Sequence, residues 1–362
     1  MIDDDLVNLW ELEAAARGRF ADGTFDYYAG GANDEITLRE NIRAYERITL
    51  RYRVLVGVET RDTSTTILGV RYPIPILVAP MAFQRLAHPD GELATARAAG
   101  AGGAGMVLSS FTTTPVEDVR AATTGPLWLQ LYVYRERDVT RALVQRAEAA
   151  GCSAIVLTAD TPVIGRRERD VRNRFGLPSE LTIAHGLIGA EEGPLGSDDA
   201  PLHAYLTRAI DPSLSWADIA WLRSLTELPI LVKGIVRGDD ARRAVEHGAA
   251  GIVVSNHGGR QLDTAPPTIS VLREVVEAVE GRAEVLIDGG VRRGTSILKA
   301  IALGARGVLI GRPVLWGLAL GGEHGVRRVL EMLAAELDLA MALCGAPTIA
   351  DITGDLIGGP PA

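Results

Sequence analysis

Eight short apolar runs, each followed by a polar cluster and a helical stretch, predict a (β/α)8 barrel, or TIM barrel, for this chain. The runs occupy residues 76–80, 106–110, 127–133, 154–160, 229–234, 251–256, 284–290 and 307–312. Their apolar character is continuous rather than alternating, which indicates parallel strands that are covered on both sides. Eight such units within about 240 residues match the size of a barrel. A doubly wound open sheet is the main competing α/β fold.

Helical patterns lie between the apolar runs, at residues 91–99, 137–151, 239–248 and 295–304. Three of these patterns end at a glycine, namely Gly151, Gly248 and Gly304, shortly before the next apolar run begins. Glycine readily adopts the left-handed conformation that ends a helix. The repeated unit is therefore a strand, a loop, a helix, a glycine and the next strand, which is the order that a parallel barrel requires.

Two further segments are expected to extend the barrel, which we place at residues 76–320 of a single domain spanning residues 1–362. The first 50 residues contain amphipathic stretches and predict an N-terminal helical cap. The runs are evenly spaced except between the fourth and the fifth, where residues 176–214 intervene. The centre of this insertion is rich in glycine and charge and shows little periodicity, so we expect a mobile lid after the fourth strand.

The composition suits a protein that acts on small molecules. A net charge of −9 disfavours a nucleic acid partner. The two cysteines, Cys152 and Cys344, lie far apart in apolar contexts and predict neither a disulfide framework nor a metal site. The sequence contains no membrane span, no export signal and no C-terminal peroxisomal tripeptide. We therefore expect a cytoplasmic protein with no membrane partner.

Polar side chains gather where the apolar runs end, and in a barrel the carboxyl ends of the strands carry the active site. Among the six histidines only His257 follows a run in this way. It is expected to act as a general base because imidazole titrates near neutral pH. Asp160 and Arg260 are expected at the same barrel mouth, with Asp160 orienting the ring. The alternative is a loop histidine without a catalytic role. The other five histidines are expected to be solvated.

Lys233 follows the apolar residues 229–232 directly and has two functional interpretations. A lysine in an apolar barrel can form a Schiff base, as an aldolase requires. It can also stay protonated and stabilise an anion inside the barrel. The remaining alternative is a lysine that extends from the barrel rim to solvent. The residue alone does not decide between them.

The last two strand ends predict a phosphate site. Glycines and arginines follow strands seven and eight, in DGGVRRG (288–294) and in the pair Gly311 and Arg312. Barrel enzymes hold phosphate groups at this position. Residues 100–105, GAGGAG, spell a dinucleotide fingerprint, but they follow a helix and precede a strand. That order is the reverse of the one required, so we exclude NAD.

The motifs together resemble those of the FMN-dependent α-hydroxy-acid oxidase and dehydrogenase family, which includes the glycolate, lactate and mandelate enzymes. The residues that carry the resemblance are SNHGGRQLD (255–263), VLIDGGVRRGTSILKA (285–300) and PILVKG (229–234). It extends through residues 25–48, 79–99 and 311–319, and it is weak only across residues 179–210. The resemblance implies an FMN cofactor, no metal and a homotetramer.

The resemblance also implies roles for individual residues. His257 would remove a proton from the substrate with Asp160 as its partner, and Lys233 would assist from the flavin side. The substrate carboxylate would be bound by Tyr27, Tyr132, Arg167 and Arg260. The flavin would be contacted by Pro80, Met81 and Ala82 near N5, by Ser109, Gln130 and Thr158 at the isoalloxazine edge, by Lys233 at N1 and the C2 carbonyl, and along its ribityl phosphate by Ser255, Asp288, Gly290, Arg292, Gly311 and Arg312.

The implied reaction is the oxidation of an (S)-2-hydroxy acid to the 2-oxo acid, with O2 as the electron acceptor and hydrogen peroxide as a product. Met81 and Phe111 replace a threonine and a tryptophan that many relatives carry, and with Ile164 they predict an apolar wall that suits a larger aliphatic or aryl (mandelate-like) substrate. The alternatives are a dehydrogenase that uses another acceptor, an aldolase that uses Lys233, an FMN-dependent isomerase and a non-catalytic scaffold.

Overall fold

A computed structural model describes residues 5–21, 23–185 and 202–359 of the chain, with the side chains of residues 202–205 left out. The helices are α1 (Leu9–Ala16), α2 (Thr24–Ala29), α3 (Ile36–Glu46), α4 (Gly91–Ala101), α5 (Val116–Ala121), α6 (Arg137–Ala150), α7 (Glu168–Arg172), α8 (Leu202–Ala209), α9 (Ala217–Arg223), α10 (Gly238–Glu246), α11 (Thr268–Val279), α12 (Gly294–Ala302) and α13 (Arg312–Cys344). Helix α13 has non-helical backbone at Gly321 and Gly322.

The strands are β1 (Thr49–Leu50), β2 (Thr65–Ile67), β3 (Val70–Tyr72), β4 (Ile76–Val78), β5 (Gly105–Leu108), β6 (Leu127–Leu131), β7 (Ile155–Thr158), β8 (Ile230–Ile235), β9 (Gly251–Val254), β10 (Glu284–Ile287), β11 (Gly307–Ile310) and β12 (Ile357–Gly358). Strands β4 to β11 pair in parallel and close into a barrel, with β11 next to β4. Six of them lie within a predicted run, while β5 begins one residue before its run and β8 ends one residue after its run. The predicted (β/α)8 barrel is therefore confirmed and the open sheet is excluded.

Two apolar cores follow from the alternation of side chains along each strand. One alternate set fills the barrel interior: Leu77, Val107, Trp128, Val156, Leu231, Val253, Leu286 and Leu309. Ile67 and Tyr72, from the β2–β3 hairpin, belong to the same cluster and close one end of the barrel. The other set, including Ile76 and Met106, packs against the surrounding helices. Both faces of the strands are buried, which explains the continuous apolar runs.

The predicted glycine helix ends are present. Gly151, Gly248 and Gly304 have φ values of +88°, +92° and +103°, and each follows its helix by one or two residues. The sequence GAGGAG runs from the end of α4 to the start of β5. It does not open a helix after a strand, which agrees with the exclusion of NAD on geometric grounds.

The first 50 residues form helices α1 to α3, and α3 packs against the loop that follows β9. The side chains of Asn41 in α3 and Asn256 in that loop exchange two hydrogen bonds of 2.9 and 2.8 Å. A Cβ atom on Gly259 would lie 2.6 Å from the backbone nitrogen of Leu38, so the loop approaches α3 closely only because residue 259 is glycine. The N-terminal helices therefore hold the loop that carries His257.

The predicted lid at residues 176–214 is described only in part, because residues 186–201 lie outside the described ranges. On its near side, Ala184 N–H donates to the carbonyl oxygen of Thr112, and on its far side α8 packs Leu206 in the core. The lid function stays a prediction. Within the described ranges, none of the helices combines the length and apolar character that a membrane crossing requires.

Glu92 of α4 ties together the loops that follow β4 and β5. Its carboxylate is fully buried and accepts hydrogen bonds from the backbone N–H groups of Gln84 and Thr113, at 3.1 and 2.8 Å. The hydroxyl groups of Thr113 and Thr114 also donate to it, at 2.6 and 3.0 Å. Four donors thus converge on one carboxylate, and the two loops that it joins carry Met81 and Phe111.

We predict that Glu92→Gln lowers the free energy of unfolding by about 2–3 kcal/mol, because an amide nitrogen replaces an acceptor and faces buried donors. Chemical denaturation monitored by circular dichroism measures the change. The control is Glu59→Gln at an exposed position, which is expected to stay within about 0.5 kcal/mol of the parent. Equal stability of the two variants would show that the buried carboxylate contributes little to the fold.

Candidate active site

The site is built on the alternation of the barrel strands. Side chains two residues apart in a strand point to the same face, so each interior apolar residue is followed, two residues later, by another side chain that points into the barrel. That layer consists of Ala79, Ser109, Gln130, Thr158, Lys233, Ser255, Asp288 and Gly311. Six of the eight are polar, and all six are buried. The barrel therefore changes from an apolar plug to a polar ring at its carboxyl end, where the predicted site lies.

Three members of this ring form a hydrogen-bonded chain across adjacent strands. Ser109 Oγ donates to Gln130 Oε1 at 3.2 Å, and Gln130 Nε2 donates to Thr158 Oγ1 at 3.0 Å. On the next strand, Lys233 is the register partner of Thr158, and its Nζ lies 3.6 Å from Asp288 Oδ2. These contacts hold the polar side chains in place before any ligand enters.

His257 and Asp160 form the pair that the sequence predicts. His257 Nδ1 lies 2.9 Å from Asp160 Oδ1, which also accepts a hydrogen bond of 3.1 Å from Thr161 Oγ1. Since a carboxylate only accepts, the ring hydrogen is on Nδ1 and Nε2 is left as an acceptor. Nε2 lies 3.4 Å from the hydroxyl of Tyr132. The base atom therefore faces the predicted substrate side.

The electrostatics of this pair suit a base that is neutral at rest. Burial lowers the pKa of His257 below its usual value and outweighs the opposing effect of the Asp160 carboxylate. Burial acts to raise the pKa of Asp160, but the charges of His257 and Lys233 and two hydrogen bonds outweigh it and hold the pKa at about 2. Asp160 is therefore ionised and His257 uncharged at neutral pH.

The loop after β9 adopts an uncommon backbone conformation. His257, Gly258 and Gly259 all have positive φ values, of +57°, +65° and +74°. A positive φ is unfavourable for histidine and persists only where surrounding contacts hold it. The backbone N–H of His257 donates to Ser255 Oγ at 3.1 Å, α3 packs against Gly259, and Arg312 donates to the carbonyl oxygen of Gly258. The two glycines let the chain turn back so that Arg260 returns to the same cavity.

One cavity joins these groups. It encloses about 1140 Å³ including its open mouth. Every residue predicted to bind substrate or cofactor lines it except Ser255, and the catalytic prediction Asp160 lies behind His257. The predicted residues in the lining are Tyr27, Pro80, Met81, Ala82, Ser109, Gln130, Tyr132, Thr158, Arg167, Lys233, His257, Arg260, Asp288, Gly290, Arg292, Gly311 and Arg312.

The lining is strongly cationic. Lys233, Arg167, Arg260, Arg292 and Arg312 contribute five basic groups, against the carboxylate of Asp288 among the described residues. Burial lowers the pKa of Arg260 to about 10, with a further contribution from the charge of Arg167. Burial also lowers the pKa of Arg292 and, well below its usual value, that of Arg312. A cluster of buried cations is stabilised when anions enter it.

Arg260 is positioned by the N-terminal segment. Its Nη1 donates to the carbonyl oxygens of Tyr27 and Gly30, at 2.6 and 3.0 Å, and its Cζ lies 5.1 Å from the centre of the Tyr27 ring. The Tyr27 side chain also makes a hydrogen bond with this guanidinium, which lines the cavity where a carboxylate can bind. The Tyr27 ring is itself stacked on Phe175, with 4.3 Å between the ring centres.

Two residues with predicted cofactor contacts, Ser255 and Arg312, also make hydrogen bonds within the protein. Ser255 does not line the cavity: its Oγ donates to Asp288 Oδ2 at 2.9 Å and accepts the His257 N–H, so it supports these neighbours. Arg312 donates to the backbone carbonyls of Tyr28, Gly258 and Gly30, at 2.9, 3.0 and 2.9 Å. Arg312 therefore clamps the N-terminal segment to the His257 loop, and each terminal nitrogen retains one hydrogen for a phosphate.

The apolar side of the cavity is formed by Met81, Phe111 and Ile164, as the sequence predicts, together with Leu206 of α8. Phe111 stacks on Tyr132, with 4.9 Å between the ring centres. Sequence reasoning missed Leu206, Tyr28 and Thr161. Leu206 follows the poorly patterned insertion, and no local signal places it over the barrel.

The prediction that the other five histidines are solvated is wrong for His185. This side chain is 3 % exposed, and its Nε2 accepts a hydrogen bond of 3.2 Å from the backbone of Val116. Burial lowers its pKa to about 4. It lies under the loop after β5 and not in the cavity, because the start of the insertion folds back against that loop.

The residues of the cavity fit flavin mononucleotide. Asp288 Oδ1 and Arg292 Nε are buried without a hydrogen-bond partner among the described residues, and both belong to the predicted ribityl and phosphate contacts. A Cβ atom on Gly290 would lie 1.9 Å from the carbonyl oxygen of Asn41, so only glycine allows this wall of the cavity. The polar chain from Ser109 to Thr158 offers donors and acceptors to a planar ring. Among the described residues no cluster of possible metal ligands is present.

Comparisons with known proteins agree with this geometry. Residues 16–358 match the family model described as FMN-dependent dehydrogenase. The chain is 53 % identical over 351 residues to glycolate oxidase 1 from Oryza sativa subsp. indica, covering 96 % of this chain and 95 % of the relative. It is 52 % identical over 351 residues to L-lactate oxidase from a Nostoc species, covering 96 % of both chains.

Solved structures of mandelate oxidase are also similar. The one determined with (S)-4-hydroxymandelic acid aligns with a TM-score of 0.91 at 45 % identity, covering 97 % of this chain and 98 % of the other. The structure titled only as mandelate oxidase aligns with a TM-score of 0.90 at 44 % identity, with the same coverage. On the match across residues 16–358 and identities above 50 % over nearly the whole chain, this protein belongs to the FMN-dependent dehydrogenase family and uses FMN as its cofactor.

Proposed function

We propose that this enzyme oxidises an (S)-2-hydroxy acid with a larger aliphatic or aryl side chain to the 2-oxo acid, and that O2 accepts the electrons and gives hydrogen peroxide. FMN-dependent oxidation of a 2-hydroxy acid is the reaction class of its relatives, which are named glycolate, L-lactate and mandelate oxidases. One observation carries the proposal: the base atom of His257 and the guanidinium of Arg260 line the same cavity.

These two groups match the two ends of a 2-hydroxy acid. The guanidinium of Arg260 binds the carboxylate, and the hydroxyl of Tyr132 and the guanidinium of Arg167 assist. Tyr27 holds Arg260 in place through its backbone carbonyl and its ring. With the carboxylate held there, the carbinol group lies near His257 Nε2. The cost of burying several arginines is offset by the negative charge of the substrate.

Proton transfer is the task of His257. Its Nε2 receives a proton from the bound substrate, and the Asp160 carboxylate stabilises the imidazolium that forms and keeps the ring oriented. FMN, when bound, accepts two electrons from the substrate carbon. Lys233, in the polar ring, places a cation where negative charge develops on that side of the cavity. Its ion pair with Asp288 and the FMN family match both favour this role over a Schiff base.

The apolar wall supports the choice of a larger substrate. Met81 and Phe111 are 9 % and 4 % exposed, and with Ile164 and Leu206 they supply apolar side chains to the lining of the same cavity. A side chain longer than that of glycolate gains favourable burial against such a wall. The similarity to a mandelate oxidase bound to (S)-4-hydroxymandelic acid supports the same choice. The homotetramer and the cytoplasmic location stay predictions.

We predict that His257→Asn retains FMN but lowers kcat by about 10²- to 10⁴-fold or more, since the proton acceptor is lost. Asparagine tolerates the positive φ at this position, so the loop is expected to keep its conformation. Peroxide formation measures turnover, and flavin absorbance measures retained FMN. The control is His324→Asn on the exposed side of α13, which is expected to match the parent. Normal turnover of the His257 variant would overturn the mechanism.

We predict that kcat/KM falls on the acid side along a single limb centred below pH 6.5, because burial lowers the pKa of His257 from that value. Protonation of the base removes activity, so activity is lost as the pH falls through this pKa. Asp160→Asn removes the charge that raises the pKa of His257, and the limb is expected to move to lower pH while kcat decreases. A shift to higher pH in this variant would contradict the assigned pairing.

We predict that mandelate, 4-hydroxymandelate or 2-hydroxyoctanoate gives a kcat/KM about 10- to 200-fold above that of glycolate, the range that one or two buried groups provide. Aerobic peroxide assays with these acids and lactate test the preference. A preference for glycolate would overturn the pocket argument and leave the reaction class intact. Reduction of a dye without peroxide formation would identify a dehydrogenase that uses another acceptor.

A further inference from the structure

An aromatic ring from the N-terminal helix lies over one of the cavity arginines. Helix α1 buries Leu9, Leu12 and Ala16 against the body of the protein, whereas Trp10 is 39 % exposed. The Cζ atom of Arg292 lies 5.7 Å from the centre of the Trp10 ring. This distance is within the range of a cation–π interaction, which tryptophan supports better than the other aromatic side chains.

Arg292 has few other partners. It follows β10 and is 8 % exposed, and its Nη1 donates to the carbonyl oxygen of Val291 at 3.0 Å. Its Nε is buried without a hydrogen-bond partner among the described residues. The charge of Glu13 in α1 raises the pKa of Arg292 and so opposes the effect of burial, which lowers it. The guanidinium therefore lies between α1 on one side and the cavity on the other, with an unused donor.

We propose that Trp10 is a positioning residue for the cofactor phosphate, acting through Arg292. The ring restricts the arginine to conformations that face the cavity and offsets part of the cost of its burial before the anion binds. Less side-chain entropy is then lost when the phosphate is bound, which increases affinity. The proposal rests on the proposed function, in which FMN is the cofactor, and on the phosphate contact that the family resemblance implies for Arg292. It assigns to α1 a part in cofactor binding.

The alternative is that Trp10 serves only the packing of α1. The two roles differ in one measurable way, because a contact that acts through Arg292 affects the phosphate and not the isoalloxazine ring. FMN and riboflavin share the ring and the ribityl chain and differ only in the phosphate. A packing defect would weaken both flavins alike, whereas loss of the arginine contact would weaken FMN alone.

The test is the dissociation constant of each flavin for the full-length protein, freed of flavin and titrated by flavin fluorescence. Trp10→Leu keeps an apolar side chain without the aromatic face. We expect it to weaken FMN about three- to tenfold and to leave riboflavin within about twofold. Trp10→Phe restores an aromatic face and is expected to bind FMN within about twofold of the parent. Trp10→Gln gives the same comparison should the leucine variant be unstable on heating.

A matched control exists in the same chain. Trp221 lies over Arg137 in the same way, with 4.7 Å between Cζ and the ring centre, and neither residue lines the cavity. Trp221→Leu removes an equivalent cation–π contact and is expected to change neither dissociation constant. An effect of this variant on FMN alone would show that the contrast between the flavins does not report the phosphate site, and would overturn the assignment.

A double-mutant cycle with Arg292→Gln completes the test. Because Trp10 acts through Arg292, the Trp10→Leu effect on FMN is expected to disappear in the Arg292→Gln background. Equal weakening of both flavins, an unchanged FMN affinity in Trp10→Leu, or additive effects would each overturn the proposal. If Arg292→Gln leaves FMN affinity unchanged, the phosphate contact itself is wrong and the proposal falls with it. Tight FMN binding without hydroxy-acid oxidation would count against the proposed function only.

Discussion

In six of the eight barrel strands the last interior apolar side chain is followed, two residues later, by a buried polar side chain, and this alternation determines where the chemistry can occur. Examples of this alternation are Leu231 followed by Lys233, and Leu286 followed by Asp288. A shift of one residue in any strand would turn its polar residue towards the helices and an apolar residue into the cavity. The closed barrel fixes the register of all eight strands together. The packing of the interior apolar layer therefore determines the position of the polar layer at the carboxyl ends of the strands.

Buried positive charge is the second constraint. Four arginines and a lysine share one cavity with one carboxylate among its described residues, and burial lowers the pKa of Arg260, Arg292 and Arg312. Such a cluster costs free energy in the protein alone and becomes favourable when phosphate and carboxylate groups bind. The fold thus gives up stability at this point in order to bind two anions, one from FMN and one from the substrate.

The N-terminal segment is part of the site although it lies outside the barrel. Backbone carbonyls of Tyr27, Tyr28 and Gly30 accept hydrogen bonds from Arg260 and Arg312, and α3 packs against Gly259 in the His257 loop. These contacts hold a histidine in a left-handed conformation that an isolated loop would leave. The same segment therefore holds Arg260 and the His257 loop in place and, through α1, contacts Arg292. Glu92 performs a comparable task at the loops after β4 and β5.

The sequence by itself determined the eight strands, the helix ends at glycine and the polar residues at the strand ends, because period, composition and turn chemistry are local properties. Family resemblance added the roles of His257, Lys233 and the arginines. Only the tertiary structure decided that Ser255 donates to Asp288, that Arg312 donates to backbone carbonyls, and that His185 is buried. It likewise brings Leu206 into the cavity lining and Trp10 against Arg292, each from a segment far away in the chain. Contacts of this kind depend on which surfaces meet when the chain closes, and no periodicity in the sequence records them.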